Sequence, residues 1–327
     1  MKSSTFLYWN FRNLLAWGLA LLAALYFVVT NSAFSSAGNV FALLQIFSVL
    51  VMVASGLAVV MLIGEFDLSI AGVFPLAALI AVKLNDSLGM VPAMGVAVVV
   101  AAAIGLLNGA ITAFVRIPSL AVTVGSMVLA IGLGFAVAAG QLVQALDYEA
   151  GLKLTEPVAG VFSLQSLVQV ALAIALMLVA RWTWFGRFVY AVGSDRARAR
   201  ASGLPVKRTV IAAFVISASL AGLGGALQGI SLATGTAGAE ESFLLQAATA
   251  AILGGIALTG GKGSLAGVFG AALLLSVISN GLSLTGTDQA IIQLVNGSIL
   301  LLVVIFDGPL NQFIHNRVRQ PQRVQLP

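Results

Sequence analysis

Long apolar runs, broken by short polar or Gly/Pro-rich clusters, recur along the whole chain. A helix that crosses a bilayer needs about 20 mostly apolar residues. The breaks delimit ten such runs, near residues 13–30, 41–62, 69–84, 91–111, 119–139, 163–181, 209–230, 244–258, 265–281 and 290–306. The eighth is short and flanked by glycines. The pattern predicts an all-α polytopic membrane protein of about ten transmembrane helices, one transmembrane domain over 1–327 without a soluble domain or linker. The first run follows Lys2 and Arg12 and precedes small residues near Ala37, which is also the outline of a signal peptide. Because further runs follow it, it reads as an uncleaved first membrane helix.

Charge then tests the count. With the N-terminus in the cytoplasm, ten crossings return the C-terminus to the same side. Of the 16 Lys and Arg residues, only Lys83 and Lys153 then fall outside, leaving fourteen inside. That is the positive-inside bias of membrane proteins, and one span more or fewer would scramble it. Asp86, Asp147, Glu149, Glu156, Glu240, Glu241 and Asp288 fall outside. The net charge of +5 therefore reports topology and calls for no nucleic acid. Hydrophobic residues make up 60% and charged residues 8% of the 327 positions. Soluble domains carry about a quarter charged residues, so lipid must solvate much of this surface. Cysteine is absent, and the one histidine, His315, lies in a polar tail at 307–327. These counts leave no disulfide framework, thiolate metal site or histidine triad, and no catalytic, metal or cofactor residue is predicted.

The charge concentrates between the sixth and seventh runs, where Thr183 to Thr209 hold six Lys or Arg and Asp195. Ser194 is a helix N-cap type, and Asp195 suits the positive end of a helix dipole. Gly203 offers a left-handed stop, and Pro205 blocks continuation. A short helix over 195–202 is predicted inside a cytoplasmic loop at 186–208. Arg196 and Arg200 share one face, with Ala197 and Ala201 beside them. From the pattern alone, this is either a solvated loop that fixes topology or a rigid element that docks into another protein.

The stretch "FGRFVYAVGSDRARARASGLPV" resembles the cytoplasmic motif of permease subunits in bacterial ABC importers of the ribose, xylose and arabinose type, relatives of the branched-chain amino-acid permeases. "GEFDLSIAG" (64–72), "LNGAITAFVRIPSLAVTVGSM" (107–127) and "ATAAILGGIALTGGKGSLAGVFGAALLLSVISNGLSLTG" (248–286) resemble further motifs of that family, in the same order. The resemblance implies a permease paired with a second permease subunit, alike or different. It also implies two cytoplasmic ATPase domains, which carry the ATP and Mg, and a periplasmic sugar-binding protein, all at the cell inner membrane. It makes 195–202 a coupling helix built from Asp195, Arg196, Ala197, Arg200, Ala201 and Ser202, with Gly203 as its stop. The sequence departs from the family where Glu65 replaces a glycine and Asp195 and Arg196 replace asparagine and glutamate. The reversed charge at Arg196 suggests an ATPase groove of different charge.

Other motifs carry two readings each. "GGKGS" (260–264) lacks the glycine and the Ser/Thr positions of a P-loop, so it reads as a tight cytoplasmic turn. Asp67, with Ser69, reads as a surface cap of the third span, and with Glu65 as the alternative of proton coupling. Amides within spans either bond between helices or line a sugar pathway; Asn108 and Asn280 are the first candidates for the pathway, followed by Gln45 and Gln246. The stretches 69–82 and 264–277 agree at eight of fourteen positions, as an internal repeat or by chance. The expected function is import of a monosaccharide or small polyol. Branched-chain amino-acid or nucleoside import, and a stand-alone secondary transporter, are the alternatives.

Overall fold

The computed structural model describes the backbone of residues 2–318 and the side chains of residues 13–305. Lys2, Arg12, His315 and Arg317 as side chains, and Arg319 and Arg323 entirely, lie outside the described residues. In chain order come α1 (Lys2–Thr30), a 3-10 turn (Ser32–Ser35), α2 (Ala37–Leu62), α3 (Ile70–Leu88), α4 (Met90–Phe114) and α5 (Ser119–Ala138). There follow β1 (Val143–Gln144), α6 (Glu149–Thr155), α7 (Leu164–Trp182), α8 (Trp184–Ser194), α9 (Arg196–Ala201) and α10 (Val206–Leu232). The chain continues through β2 (Thr234–Gly235), α11 (Glu241–Leu253), α12 (Leu265–Leu284) and α13 (Gln289–Val318).

Among the described residues, eight of these helices are long and apolar enough to cross a membrane. The runs predicted at 244–258 and 290–306 correspond to α11 and α13, whose described apolar parts are shorter. With 13 residues, α11 is only about 20 Å long and cannot cross alone. The polar tail expected from 307 begins as a continuation of α13.

The bundle is organised around two helices. Along α2 every residue from Phe47 to Ile63 is buried, which a helix apolar on all sides requires; it packs against α7, α10, α11 and α12. The second centre, α10, lies against α4 and α3 through small residues. A Cβ at Gly105 or Gly109 of α4 would press on α10 at Phe214 or Ile211, and one at Gly225 or Gly229 of α10 on Phe74 or Ala78 of α3. Close backbone approach at small residues is how helices associate where lipid removes the hydrophobic drive between them.

Two stretches of irregular backbone enter the bundle, one before α3 and one before α11. After α2 the chain runs irregularly over 64–69, and Ser217 donates to buried Asp67 at 2.9 Å. Ser217 lies eleven residues into α10, or ~16 Å along its axis, so α3 starts well inside the bundle. From the opposite end, β2 pairs with β1 and the chain then descends beside α3: Gly235 packs on Leu79. Glu240 N–H donates to Ala71 O at 2.9 Å. The segment 234–240 thus runs along α3 into the bundle and leads into α11. Non-helical backbone inside a membrane protein is tolerated only where protein satisfies it, and the Ala71 carbonyl takes up the Glu240 N–H. The N-termini of α3 and α11 meet there, with the Phe74 and Phe243 rings 4.9 Å apart.

Candidate functional site

The helix expected at 195–202 is present as α9, six residues long. Its cap is Asp195, whose carboxylate accepts from Arg198 N–H at 2.9 Å. Ser194, expected as the cap, is instead the last residue of α8 and donates back to Tyr190 O at 2.8 Å. The bonds from Arg198, backbone first and side chain second, hold the Asp195 carboxyl below its ordinary value. Gly203 ends the helix at φ 76°, and Leu204 N–H closes on Ala199 O at 3.0 Å. Ala199 is buried against the bundle, whereas Ala197, Arg198, Ala201 and Ser202 are exposed on the outward face.

Arg196 and Arg200 sit on the inward flank. Arg196 Nη2 donates to Glu65 Oε1 and, at 3.2 Å, to Ile63 O. Two of the departures from the family pattern, Glu65 and Arg196, therefore pair with each other. The reversed charge at 196 is answered within the chain by Glu65. Arg196 is 41% and Glu65 12% exposed, so water screens the pair and it contributes about 1 kcal/mol. Arg196→Glu should lower the melting temperature of the purified protein, and adding Glu65→Arg should recover most of the loss. Absence of that recovery would show that the pair is not formed.

The segment before α9 was expected as loop and is α8, an amphipathic helix. Gly186, Val189 and Val192 are buried three residues apart, and Trp184 is exposed with the Arg187 guanidinium 4.0 Å from its ring centre. A knot of backbone contacts fixes its far end. A Cβ on Gly193 would overlap Leu62 O and Gly261 N; one on Gly261 would overlap Ser194. Gly261 N–H donates to Leu62 O at 2.7 Å, and Tyr190 OH to Gly263 O at 3.0 Å. The stretch "GGKGS" forms the tight turn expected, closed by Ala257 N–H to Lys262 O at 2.9 Å. Thus α9 is mounted on the ends of α2 and α8 and on the α11–α12 turn.

The structure does not gather the four pathway candidates. Asn108 donates to Ser69 Oγ at 3.0 Å, beside Asp67. Asn280 exchanges two 3.0 Å bonds with Asn39, tying α12 to α2. Gln45 donates to Ser163 Oγ, the cap of α7. Gln246 alone is half-buried without a side-chain bond among the described residues; it lies on α11, beyond the meeting point of α3 and α11. Asp67, expected as a surface cap, is fully buried and bonded by Ser69 and Ser217, and α3 starts without a side-chain cap. Gln165 and Gln169 of α7, not among the sequence-predicted candidates, are buried with Gln165 Oε1 and Gln169 Nε2 unpartnered among the described residues. Only their place among apolar neighbours could have flagged them.

Three relatives share most of the chain. It is 33% identical over 319 residues to an autoinducer 2 import system permease protein of Enterobacter sp. (strain 638), covering 94% of this chain and 90% of the relative. It is 33% identical over 260 residues to the xylose/arabinose import permease protein of Sulfolobus acidocaldarius, covering 76% and 71%. It is 30% identical over 291 residues to the fructose import permease protein of Rhizobium meliloti, covering 86% and 80%. No solved structure matches significantly. Residues 39–304 match the family described as permease component of the branched-chain amino acid transport system. A multi-pass helical bundle with these relatives and this family match belongs to that family of transport-system permeases.

Proposed function

We propose that the chain moves a monosaccharide or similar small polyol into the cytoplasm as the permease subunit of an ATP-driven importer of the cell inner membrane. One observation carries the mechanism: α9 presents Ala197, Ala201 and Ser202, with Arg198 among them, on an exposed face, while the α8 end that carries it is locked to α2 and the α11–α12 turn. That is the form of an element that receives a push and passes it to the bundle. The names of the relatives, for xylose/arabinose and fructose, carry the substrate class. The partners in this reading are a second permease subunit, a periplasmic sugar-binding protein and a cytoplasmic ATPase that holds ATP and Mg. Both termini are cytoplasmic, and the eight long helices, the broken crossing 234–253 and α13 make ten crossings.

Within this reading substrate passes where α3 and α11 meet, and Gln246 is the candidate free to hydrogen-bond a sugar hydroxyl. Asn108, Asn280 and Gln45 position helices around that path. Deleting the gene should abolish uptake of one labelled pentose or hexose and leave leucine uptake unchanged; loss of leucine uptake instead would assign the branched-chain alternative. A cysteine at Glu149 should react with an impermeant maleimide from outside, and one at Arg198 only after the membrane is opened. One at Glu240, below the external surface, should react more slowly than at Glu149 and be protected by transported sugar. Labelling of Arg198 from outside would invert the topology.

A further inference from the structure

A cleft of about 390 Å³ opens between the end of α4, the α4–α5 turn, α9 and the start of α10. Arg116, Arg196, Arg200 and Lys207 line it, against the one carboxylate of Glu65. Glu65 is taken up by Arg196, and Lys207 Nζ lies 4.3 Å from the Phe114 ring centre. Arg116 and Arg200 make no ion pair among the described residues. Thr112 also lines the cleft and is only 4% exposed, yet its Oγ1 has no hydrogen-bond partner. A helical threonine ordinarily donates to the carbonyl a turn back, so this hydroxyl is left for something else. The start of α10 adds backbone N–H groups with no side-chain cap, and helix N-termini attract anions.

The rim identifies the source of the anion. Ile111, Phe114, Val115, Ile117 and Leu120 beside the cleft are 37–61% exposed, continuous with the apolar faces of α4 and α5. A free anion needs no such strip, whereas an acyl chain does. We propose that the cleft binds the phosphate of an anionic phospholipid, with Arg116 and Arg200 as its charge partners, Thr112 as a hydroxyl donor and the acyl chains along α4 and α5. The headgroup then lies against α9, so the lipid bears on the element that the function above assigns to coupling. The binding itself does not depend on that assignment.

The test uses the full chain in neutral detergent with phosphatidylglycerol, with phosphatidylcholine of the same acyl chains, or with inorganic phosphate alone. Bound lipid is counted by native mass spectrometry and the melting temperature is recorded. Phosphatidylglycerol should be retained and raise the melting temperature; the other two should do neither. Arg116→Gln and Arg200→Gln should each weaken retention roughly fivefold, the effect of one cation near an anionic headgroup. Thr112→Val should weaken it without a change of charge, and Arg208→Gln, outside the lining, should leave it unchanged. Equal melting temperatures without lipid verify that the variants fold. Equal loss in Arg208→Gln would reduce the effect to diffuse surface charge and overturn the site. A shift with inorganic phosphate and no preference for phosphatidylglycerol would overturn the lipid. So would loss of ATPase binding in Arg116→Gln and Arg200→Gln with lipid retention unchanged.

Discussion

Gly193→Ala should destabilise the purified protein by about 3 kcal/mol or more, at or beyond the upper end of ordinary overpacking, and abolish transport. The added methyl would overlap the Leu62 carbonyl oxygen and the Gly261 nitrogen, both backbone atoms. Neither can rotate away, and the Leu62 carbonyl already accepts the Gly261 N–H at 2.7 Å. Relief requires parting α8 from the end of α2 or from the α11–α12 turn, the joints that hold α9 in place. Gly18→Ala and Gly132→Ala are the matched controls, because a Cβ at either meets nothing within 4 Å. Both should keep the wild-type melting temperature. A stable, active Gly193→Ala protein would show that the knot is not closed in the membrane.

Ala197→Trp combined with Ala201→Trp should have the opposite profile: normal insertion and melting temperature, and at least a tenfold loss of substrate-stimulated ATP hydrolysis in the reconstituted importer. Both alanines are exposed and on the outward face of α9, so an indole there disturbs nothing in the chain itself. It disturbs only a partner that fits closely over small residues. Gly203→Val should add to the effect, since a branched residue in the left-handed conformation costs about 1–2 kcal/mol and tilts the end of the helix. Arg198→Ala, on the same exposed face, removes the pairing with Asp195 and should be mild. Normal stimulation in the double tryptophan variant would leave α9 as a solvated loop that only fixes topology.

The parts of this architecture that were legible in the sequence are those that local pattern controls. Apolar runs located the eight helices long enough to cross a membrane, and the cap-to-glycine spacing located α9 to within a residue at each end. The cap shifted from Ser194 to Asp195 because α8 runs through Ser194 and leaves Asp195 as the extended residue before α9. The amphipathic spacing of Gly186, Val189 and Val192 was present as well, but it was hidden by the glycines and charges around it. The irregular segments 64–69 and 234–240 could not be read in the same way. Extended backbone at depth depends on a carbonyl 169 positions away, the bond from Glu240 to Ala71. Likewise Glu65 and Arg196 stand out singly as departures from the family pattern, and only the fold brings them together. Asp67 had the signature of a cap; the serine of α10 that holds it at depth lies 150 positions on.

The most direct test of the account is the source of energy for uptake. Cells should be treated with a proton uncoupler while ATP is maintained, and uptake of the transported sugar measured with and without the partner ATPase. Uptake should continue without the proton gradient and disappear without the ATPase. Uptake that collapses with the gradient at constant ATP would contradict it, and would make Glu65 and Asp67 the groups to examine as proton carriers.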